Sequence, residues 1–447
     1  MAGTPGPTTI STKQLELTQR ATARAEGALT TLAHFIDLTW LREAYRRTRK
    51  DGASGVDGQT ASDYEQHLEA NLAALLDRFK SGRYRAPPVK RVYIPKADGK
   101  RLRPIGIPTL EDKVLQRAVV MLLEPIYEVQ FSEASYGFRP GRSAHQALDA
   151  VWRGTMGHPN GWLIELDIEG FFDHVDHQIL QTLVARRVGD GVVRRMIGKW
   201  LNAGVMEDGQ LSYPARGTPQ GGVVSPLLAN IYLHEVLDQW FEADVLPRLK
   251  SHGFVVRYAD DAVLGFARED DARRVYAVLE KRFAKFGLKL HPEKTRLMKF
   301  TRPRGVAHSR SGSDTSRSFD FLGFTHYWAR TRKGGWAVKR KTAKNRLSRA
   351  LVAIKHWCRR YRHESVPWQH AQLSRKLRGH YAYYGITGNG RTLVRFRHAV
   401  ERIWRNWLAR RSARAKLLWS RFKAFLKRYP LPPARVVHSA RLSQSSP

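Results

Sequence analysis

The sequence predicts an α+β protein, and three observations predict it. Helical periodicity marks the start of the chain, β-prone runs ending in acidic residues fill its middle, and a long basic stretch returns to helical spacing. The 447 residues are 42% hydrophobic and 10% aromatic, enough to bury a substantial core over two to four domains.

Apolar residues at helical spacing predict helices over Leu29 to Tyr45 and Tyr64 to Phe79, with the glycine-rich Gly52 to Gly58 as a turn between them. Val89 to Ile94 and Leu102 to Ile107 are β-prone, and the Asp98-Gly99 between them signals a basic hairpin. A helix follows at Glu111 to Tyr127, a strand at Trp162 to Asp167, and helices around His177 to Val188 and Val223 to Phe241. Phe254 to Phe266 reads as two short strands meeting at a polar turn. Val275, Leu279, Phe283 and Phe286 share one face of a helix over Asp270 to Phe286, stopped by Gly287. The Ser-, Arg- and Gly-rich Thr301 to Ser318 reads as a mobile loop before the apolar Phe319 to Tyr327. Beyond Lys339, four apolar stripes predict a helical bundle: Leu347 to Tyr361, Leu373 to Tyr384, Val400 to Leu408 and Leu417 to Leu426.

Charge narrows the function classes. Lys and Arg number 77 against 40 Asp and Glu, a net of +37, and from Arg330 onward 31 basic residues face only Glu364 and Glu401. A single basic cluster is as readily a solvated face, but so extended an excess calls for a polyanion. Trp336, Trp357, Trp368, Trp404, Trp407 and Trp419 lie in the same stretch, most of them read as core and the rest able to stack on bases. The lone Cys358 excludes an internal disulfide and a ribbon-type zinc site, and suits a reducing cytosol. No secretion signal and no apolar run long enough to span a membrane is evident, so a cytoplasmic protein is expected.

The informative acids stand at strand ends. Trp162 to Ile168 is an apolar strand finishing in Asp167, and Val255 to Leu264 carries Asp260 and Asp261 side by side between β-prone runs. Adjacent carboxylates repel, and a divalent cation relieves the repulsion. Mg²⁺ prefers hard oxygens and keeps positions open for phosphate, and two ions roughly 4 Å apart suit in-line displacement of pyrophosphate by a primer hydroxyl. Read alone, an Asp-Asp pair is more often a solvated turn.

Its company changes that reading. In order along the chain stand Gly55-Val56-Asp57-Gly58, Arg103-Pro104-Ile105-Gly106-Ile107-Pro108, Ser135-Tyr136-Gly137-Phe138-Arg139-Pro140-Gly141-Arg142-Ser143 and Asp167-Ile168-Glu169-Gly170-Phe171-Phe172-Asp173. Gly217-Thr218-Pro219-Gln220-Gly221-Gly222 with Ser225-Pro226-Leu227, then Tyr258-Ala259-Asp260-Asp261, Lys294 beyond Gly287, and Phe321-Leu322-Gly323 complete the series. The ensemble resembles the reverse transcriptase/maturase proteins encoded by group II introns. The basic tail resembles their thumb, or maturase domain, most clearly at Arg378-Gly379-His380-Tyr381-Ala382-Tyr383-Tyr384-Gly385.

The resemblance implies a right-hand polymerase with fingers, an antiparallel palm sheet and a C-terminal helical thumb. It implies Asp167, Asp260 and Asp261 as the palm carboxylates that bind two Mg²⁺, with Mn²⁺ as a substitute and the Ile168 carbonyl as a further ligand. Phe172 would lie under the nucleotide sugar and exclude a 2′-hydroxyl; its other reading is core. Lys96 and Arg103 would reach the triphosphate from the basic hairpin, surface solvation being the alternative for Lys96. Gln220 would help seat nucleotide and template. Arg139 and Arg142 would position template or the nearby loop, and Arg375, Lys376 and Arg378 would bind nucleic acid. Glu169 shares a strand face with Asp167 but is left out of the site, and His174 and His177 read as helix-start residues.

The implied partners are an RNA template, group II intron RNA, a DNA primer or target and deoxynucleoside triphosphates, with a homodimer allowed for and nucleoid association on target DNA. No Cys- and His-rich endonuclease follows the thumb, which resembles the endonuclease-lacking branch. The expected division is a flexible segment at 1–28, fingers at 29–160, palm at 161–329, thumb at 330–431 and a disordered tail at 432–447. A free-standing cellular reverse transcriptase and a splicing cofactor without polymerase activity are the rivals; the three aspartates argue against the second. An RNA-directed RNA polymerase is disfavoured by Phe172 and by Tyr258-Ala259.

Overall fold

The computed structural model of the chain describes residues 9–95, 102–213, 216–217, 221–303, 318–411 and 417–438. Lys96 and Gln220, the tip of the basic hairpin, most of the loop expected after Thr301 and the last residues of the tail lie outside them. Two compact units emerge, Met1–Val151 with Trp162–Leu297, and Trp152–Gly161 with Met298–Pro447.

The first unit starts with α1 (Ile10–Ala23), where the sequence suggests flexibility. Thr9 caps it, and Leu17 and Ala21 are buried. Arg187 fastens its far end by donating to the carbonyls of Ala21, Arg24, Ala25 and Gly27. Next come α2 (Leu38–Arg47), α3 (Ala61–Glu65) and α4 (Leu68–Lys80), then the antiparallel hairpin of β1 (Val89–Pro95) and β2 (Leu102–Ile107). The helix α5 (Leu110–Glu128) is apolar almost all round, with thirteen buried residues, because α1 and α2 pack against it on one side and α10 on another. Its buried Asp112 accepts from Tyr84, Gln116 and Trp200, and burial pushes its carboxyl up to about 6.

Helix α6 (Ala144–Gly157) leads to β3 (Asn160–Leu166), and α7 (Phe171–His174), α8 (His177–Ala185) and α9 (Gly191–Leu201) follow. The three-residue strands β4 (Val205–Glu207) and β5 (Gln210–Ser212) extend the hairpin sheet, with β4 parallel to β1. Their shortness leaves no period to read. The helix expected over Val223 to Phe241 begins as α10 (Ser225–Leu233) and continues with wider π-type turns, His234–Gln239 and Phe241–Val245. Strands β6 (Gly253–Tyr258) and β7 (Asp261–Phe266) form the expected second hairpin, with β3 antiparallel on the far side of β7. Then α11 (Glu269–Ala284) covers β7 with Val275, Leu279 and Phe283. One continuous apolar core holds these elements together.

The chain leaves this unit along β8 (Arg296–Thr301). The second unit has a three-stranded antiparallel sheet of β9 (Ser318–Phe321), β10 (Phe324–Arg330) and β11 (Trp336–Thr342), so sheet continues past the Arg330 boundary expected from sequence. The helices α12 (Lys344–Arg360), α13 (Val366–Tyr384), α14 (Gly390–Leu408) and α15 (Trp419–Arg428) pack around Leu377, Leu393, Val400, Trp404 and Phe422. Asn389, fully buried, joins sheet to bundle: its side chain accepts from Thr342 N at 3.0 Å and donates to Thr342 Oγ1 and Tyr384 O at 2.8 Å. The tail expected to be disordered runs in register beside Ile386 as far as His438. Among the described residues no helix is long and apolar enough to cross a membrane.

Gly379 lies in the middle of α13, exposed, with nothing within 4 Å of a Cβ placed on it. Gly379→Ala is therefore expected to stabilise this unit by about 0.5–1 kcal/mol through helix propensity. Chemical denaturation checks it, and a loss of stability would show a contact that the fold does not contain.

Candidate active site

The register of the central sheet gathers the acids. Leu166, the last residue of β3, pairs with Ala262 of β7, so Asp167 follows directly beside the Tyr258–Asp261 turn. Asp260 is largely buried, and burial together with the nearby Asp167 charge pushes its carboxyl upward; Arg103 and Lys294 oppose that shift. Asp261 opens β7 on the exposed side. The sequence-predicted trio thus reaches one sheet end, with Arg103 of β2, opposite Ile94 in the hairpin, contributing positive charge to it.

The backbone after Asp167 is also held. Asp167 O accepts from His291 N at 2.9 Å, and Glu169 N donates to Lys289 O at 2.9 Å. That bridge between Ile168 and Leu290 uses the carbonyls of Asp167 and Lys289, not that of Ile168. Lys294 Nζ donates to Asp167 Oδ2 at 3.0 Å, an ion pair absent from the sequence-derived site although Lys294 belongs to its motif series. Glu165 turns away to Arg296. The donors present are hard oxygens, the kind Mg²⁺ takes. Among the described residues, however, no group of three or more His, Cys, Asp or Glu is drawn together tightly enough to hold a metal ion by itself.

Of the two adjacent rings on α7, Phe171 is core, 3% exposed and edge-on to Tyr232. Phe172 is only partly buried, edge-on to Phe171 at 5.2 Å, and so is the ring able to face a ligand. Glycines allow the surrounding loops to approach. A Cβ on Gly217 would stand 2.9 Å from Phe172 O, one on Gly221 2.5 Å from Gly106 O, and one on Gly137 2.3 Å from Ala259 N. Strand β2, Gly217 and Gly221, α7 and the Ser135–Ser143 loop therefore meet backbone to backbone around the acids. His177 Nε2, 2.5 Å from Gly217 O, anchors the same segment, and His174 Nδ1 is 3.0 Å from Gly170 O, in keeping with structural roles.

Of the two roles expected of Arg139, the loop one has contacts behind it: the side chain is 6% exposed, and it donates to both Glu128 oxygens and to the carbonyls of Ser132 and Ser135, so it anchors its loop. Arg142 likewise holds Glu133 at 2.6 Å and lies over Tyr136. In the second unit Arg375, Lys376 and Arg378 are exposed on α13, with Lys376 Nζ 5.5 Å from the Trp357 ring centre.

Sequence reasoning missed Arg257. This β6 residue is 1% exposed and bonds Asp238, itself fully buried, through Nε at 2.7 Å and Nη2 at 2.5 Å. Burial raises the Asp238 pKa and the Arg257 charge outweighs it, leaving that carboxyl below its ordinary value. A signal existed: an arginine inside an apolar strand, and an aspartate on the stripe Leu227, Ile231, His234, Asp238, Phe241.

Comparison with known proteins identifies the family. Residues 94–326 match the family model described as reverse transcriptase (RNA-dependent DNA polymerase). Protein YkfC of Escherichia coli K12 is 39% identical over 256 residues, covering 50% of this chain and 67% of its own. Group II intron-encoded protein LtrA of Lactococcus lactis is 44% identical over 193 residues, 43% of this chain and 32% of LtrA. Nuclear intron maturase 2 of Arabidopsis thaliana is 29% identical over 232 residues, covering 41% of this chain and 31% of its own. The match thus spans about two thirds of YkfC but only about a third of the two intron proteins.

Gly137→Ala should force the Ser135–Ser143 loop off the Ala259 backbone, lowering stability by roughly 2–4 kcal/mol. Thermal unfolding tests this, and an unchanged melting temperature would disprove the close approach.

Proposed function

Because the chain belongs to the reverse transcriptase family, in its group II intron branch, we propose that it extends a DNA primer on an RNA template from deoxynucleoside triphosphates. The observation that carries the reading is the convergence of Asp167 with Asp260 and Asp261 at one sheet end, close enough for one charge to shift the other's pKa. Asp167, Asp260 and Asp261, with the Ile168 carbonyl, would hold two Mg²⁺ or Mn²⁺. Such ions lower the barrier by activating the primer hydroxyl and stabilising the leaving pyrophosphate.

The chain's own residues supply the rest. Arg103, with Lys96, offsets triphosphate charge from the hairpin. Lys294 pairs with Asp167 and offsets the charge of that carboxylate. Phe172 bars a 2′-hydroxyl sterically, while the Gly217–Gly222 segment, with Gln220, lets template and nucleotide approach backbone. The exposed cations of the second unit, including Arg375, Lys376 and Arg378, would grip intron RNA through phosphates, which is the maturase part of the reading. Its support is the 31 basic residues against two acidic ones from Arg330 onward. Removal of that whole segment is a poor test, since it would cut the sheet between β10 and β11. Retrohoming, dimerisation and residence on the nucleoid belong to the same proposal.

Primer extension on an RNA template tests the chemistry. Asp260→Asn should abolish Mg²⁺- or Mn²⁺-dependent incorporation, by a factor of at least about 10³ for loss of a charge-stabilising group; full activity would refute the site. In the same assay Phe172→Ala should admit ribonucleotides more readily, and an unchanged sugar preference would remove it as the gate.

A further inference from the structure

Among the described residues, the Arg257–Asp238 pair has both side chains buried and no part in the chemistry. We propose that Arg257, clamped by Asp238 and Asn230, is a positioning residue that fixes the Ala259–Asp260 turn and so sets the spacing at which the acids accept divalent ions. The inference rests on the reading of Asp167, Asp260 and Asp261 as metal-binding residues.

Stability alone does not account for the pair. A buried ion pair is often no more stabilising than apolar residues of the same volume, because both charges must be desolvated. The shape of the guanidinium accounts for it better. Its fork gives Nε and Nη2 to Asp238, while Nη1 donates to Asn230 Oδ1 at 2.9 Å and to Ala259 O at 3.0 Å. Ala259 has φ +57, a left-handed conformation that is strained for an alanine and persists only where its surroundings impose it. The carbonyl held by Arg257 is that of this residue, and Asp260 is next in the chain.

The network grips the other side of the turn as well. Asn230 Nδ2 donates to Gly137 O at 2.8 Å, and Gly137 is the residue pressed against Ala259 N. The Arg257 backbone donates to Ala134 O and accepts from Tyr136 N, both at 2.8 Å. Arg257 and Asn230 therefore hold both partners of the Gly137–Ala259 contact, from a core that is 1% exposed or less at Arg257, Asn230 and Asp238. A shift of the turn moves Asp260 relative to Asp167, which is anchored separately through His291 and Thr295. Residues that orient metal ligands in this way commonly carry about 10–100-fold in metal affinity.

The test uses the full chain without nucleic acid and reads the rise in melting temperature on Mn²⁺ titration, which reports binding apart from catalysis. Wild type, Arg257→Lys, Asn230→Ala, Asp260→Asn and Leu72→Ala are compared. The last removes a buried side chain of α4 and controls for lost stability. Arg257→Lys keeps the charge facing Asp238 but not the fork, and should need at least about tenfold more Mn²⁺ for half its effect. Leu72→Ala should melt lower and titrate like wild type. Should Arg257→Lys not fold, Asn230→Ala carries the same expectation. A folded Arg257→Lys or Asn230→Ala that titrates like wild type, while Asp260→Asn loses the response, overturns the positioning role. A wild-type titration by Asp260→Asn instead overturns the metal reading beneath it.

Discussion

The register between β3 and β7 is the constraint on which the candidate site depends. β7 is paired on both sides, and Ala262 to Phe266 are all buried, so their fit to the core admits a single alignment with Leu163, Ile164 and Leu166. A slip of one residue would turn each of these side chains to the opposite face. Because the carboxylates occupy the positions immediately past the paired residues, the hydrophobic core fixes their placement before any electrostatic term acts. Their mutual repulsion is a cost carried by packing elsewhere.

Around that sheet end, space is made by omission. Gly217, Gly221 and Gly137 each lie where a Cβ would meet backbone within 3 Å, the first two in one loop and the third in another. The opposite device operates at Ala259, where a residue with a side chain takes a conformation that glycine would adopt more readily. An alanine there narrows the conformations of the turn in the unfolded chain, and the contacts from Gly137 and Arg257 select the strained one in the folded chain.

Much of this was legible in the sequence because it is periodic or local. Alternating apolar residues disclosed β3, β6 and β7, the Asp-Gly signal disclosed the first hairpin, and helical stripes disclosed α4, α5, α11 and the bundle within a few residues. The α+β class follows from that pattern alone, and the right-hand polymerase architecture follows from the family. What escaped is non-local. The strands β4 and β5 are too short for a period, and β11, Trp336 to Thr342, carries Lys339, Arg340 and Lys341 in a row, so that charge concealed the strand. Arg257 was obscured for the same reason: an arginine in a sequence looks solvent-facing until Asp238, in the π-type turns after α10, is seen to receive it. Helix α1 was missed because its apolar face is narrow, Leu17 and Ala21 being its buried residues, and its order depends on Arg187 far along the chain.

Charge from Arg330 onward poses a different physical problem. Glu401 is nearly buried and already occupied by Arg397 and His398, while the Glu364 carbonyl accepts from Gln369 and Arg411. Two acids cannot neutralise the cations around them, and self-repulsion of that size strains a compact fold. Aromatic rings relieve part of it: Arg330 lies over Trp336, Arg405 over Trp419 and Arg410 over Trp407, at 4.2 to 5.1 Å. Among the tryptophans of this stretch only Trp404 is fully buried, fewer than the sequence suggested, and Trp368 and Trp419 are 37% and 44% exposed. Rings so placed keep cations extended at the surface instead of collapsed on acids. A polyanion that met this surface would release counterions and relieve the repulsion together, so its affinity would carry a steep dependence on salt even where no base is read.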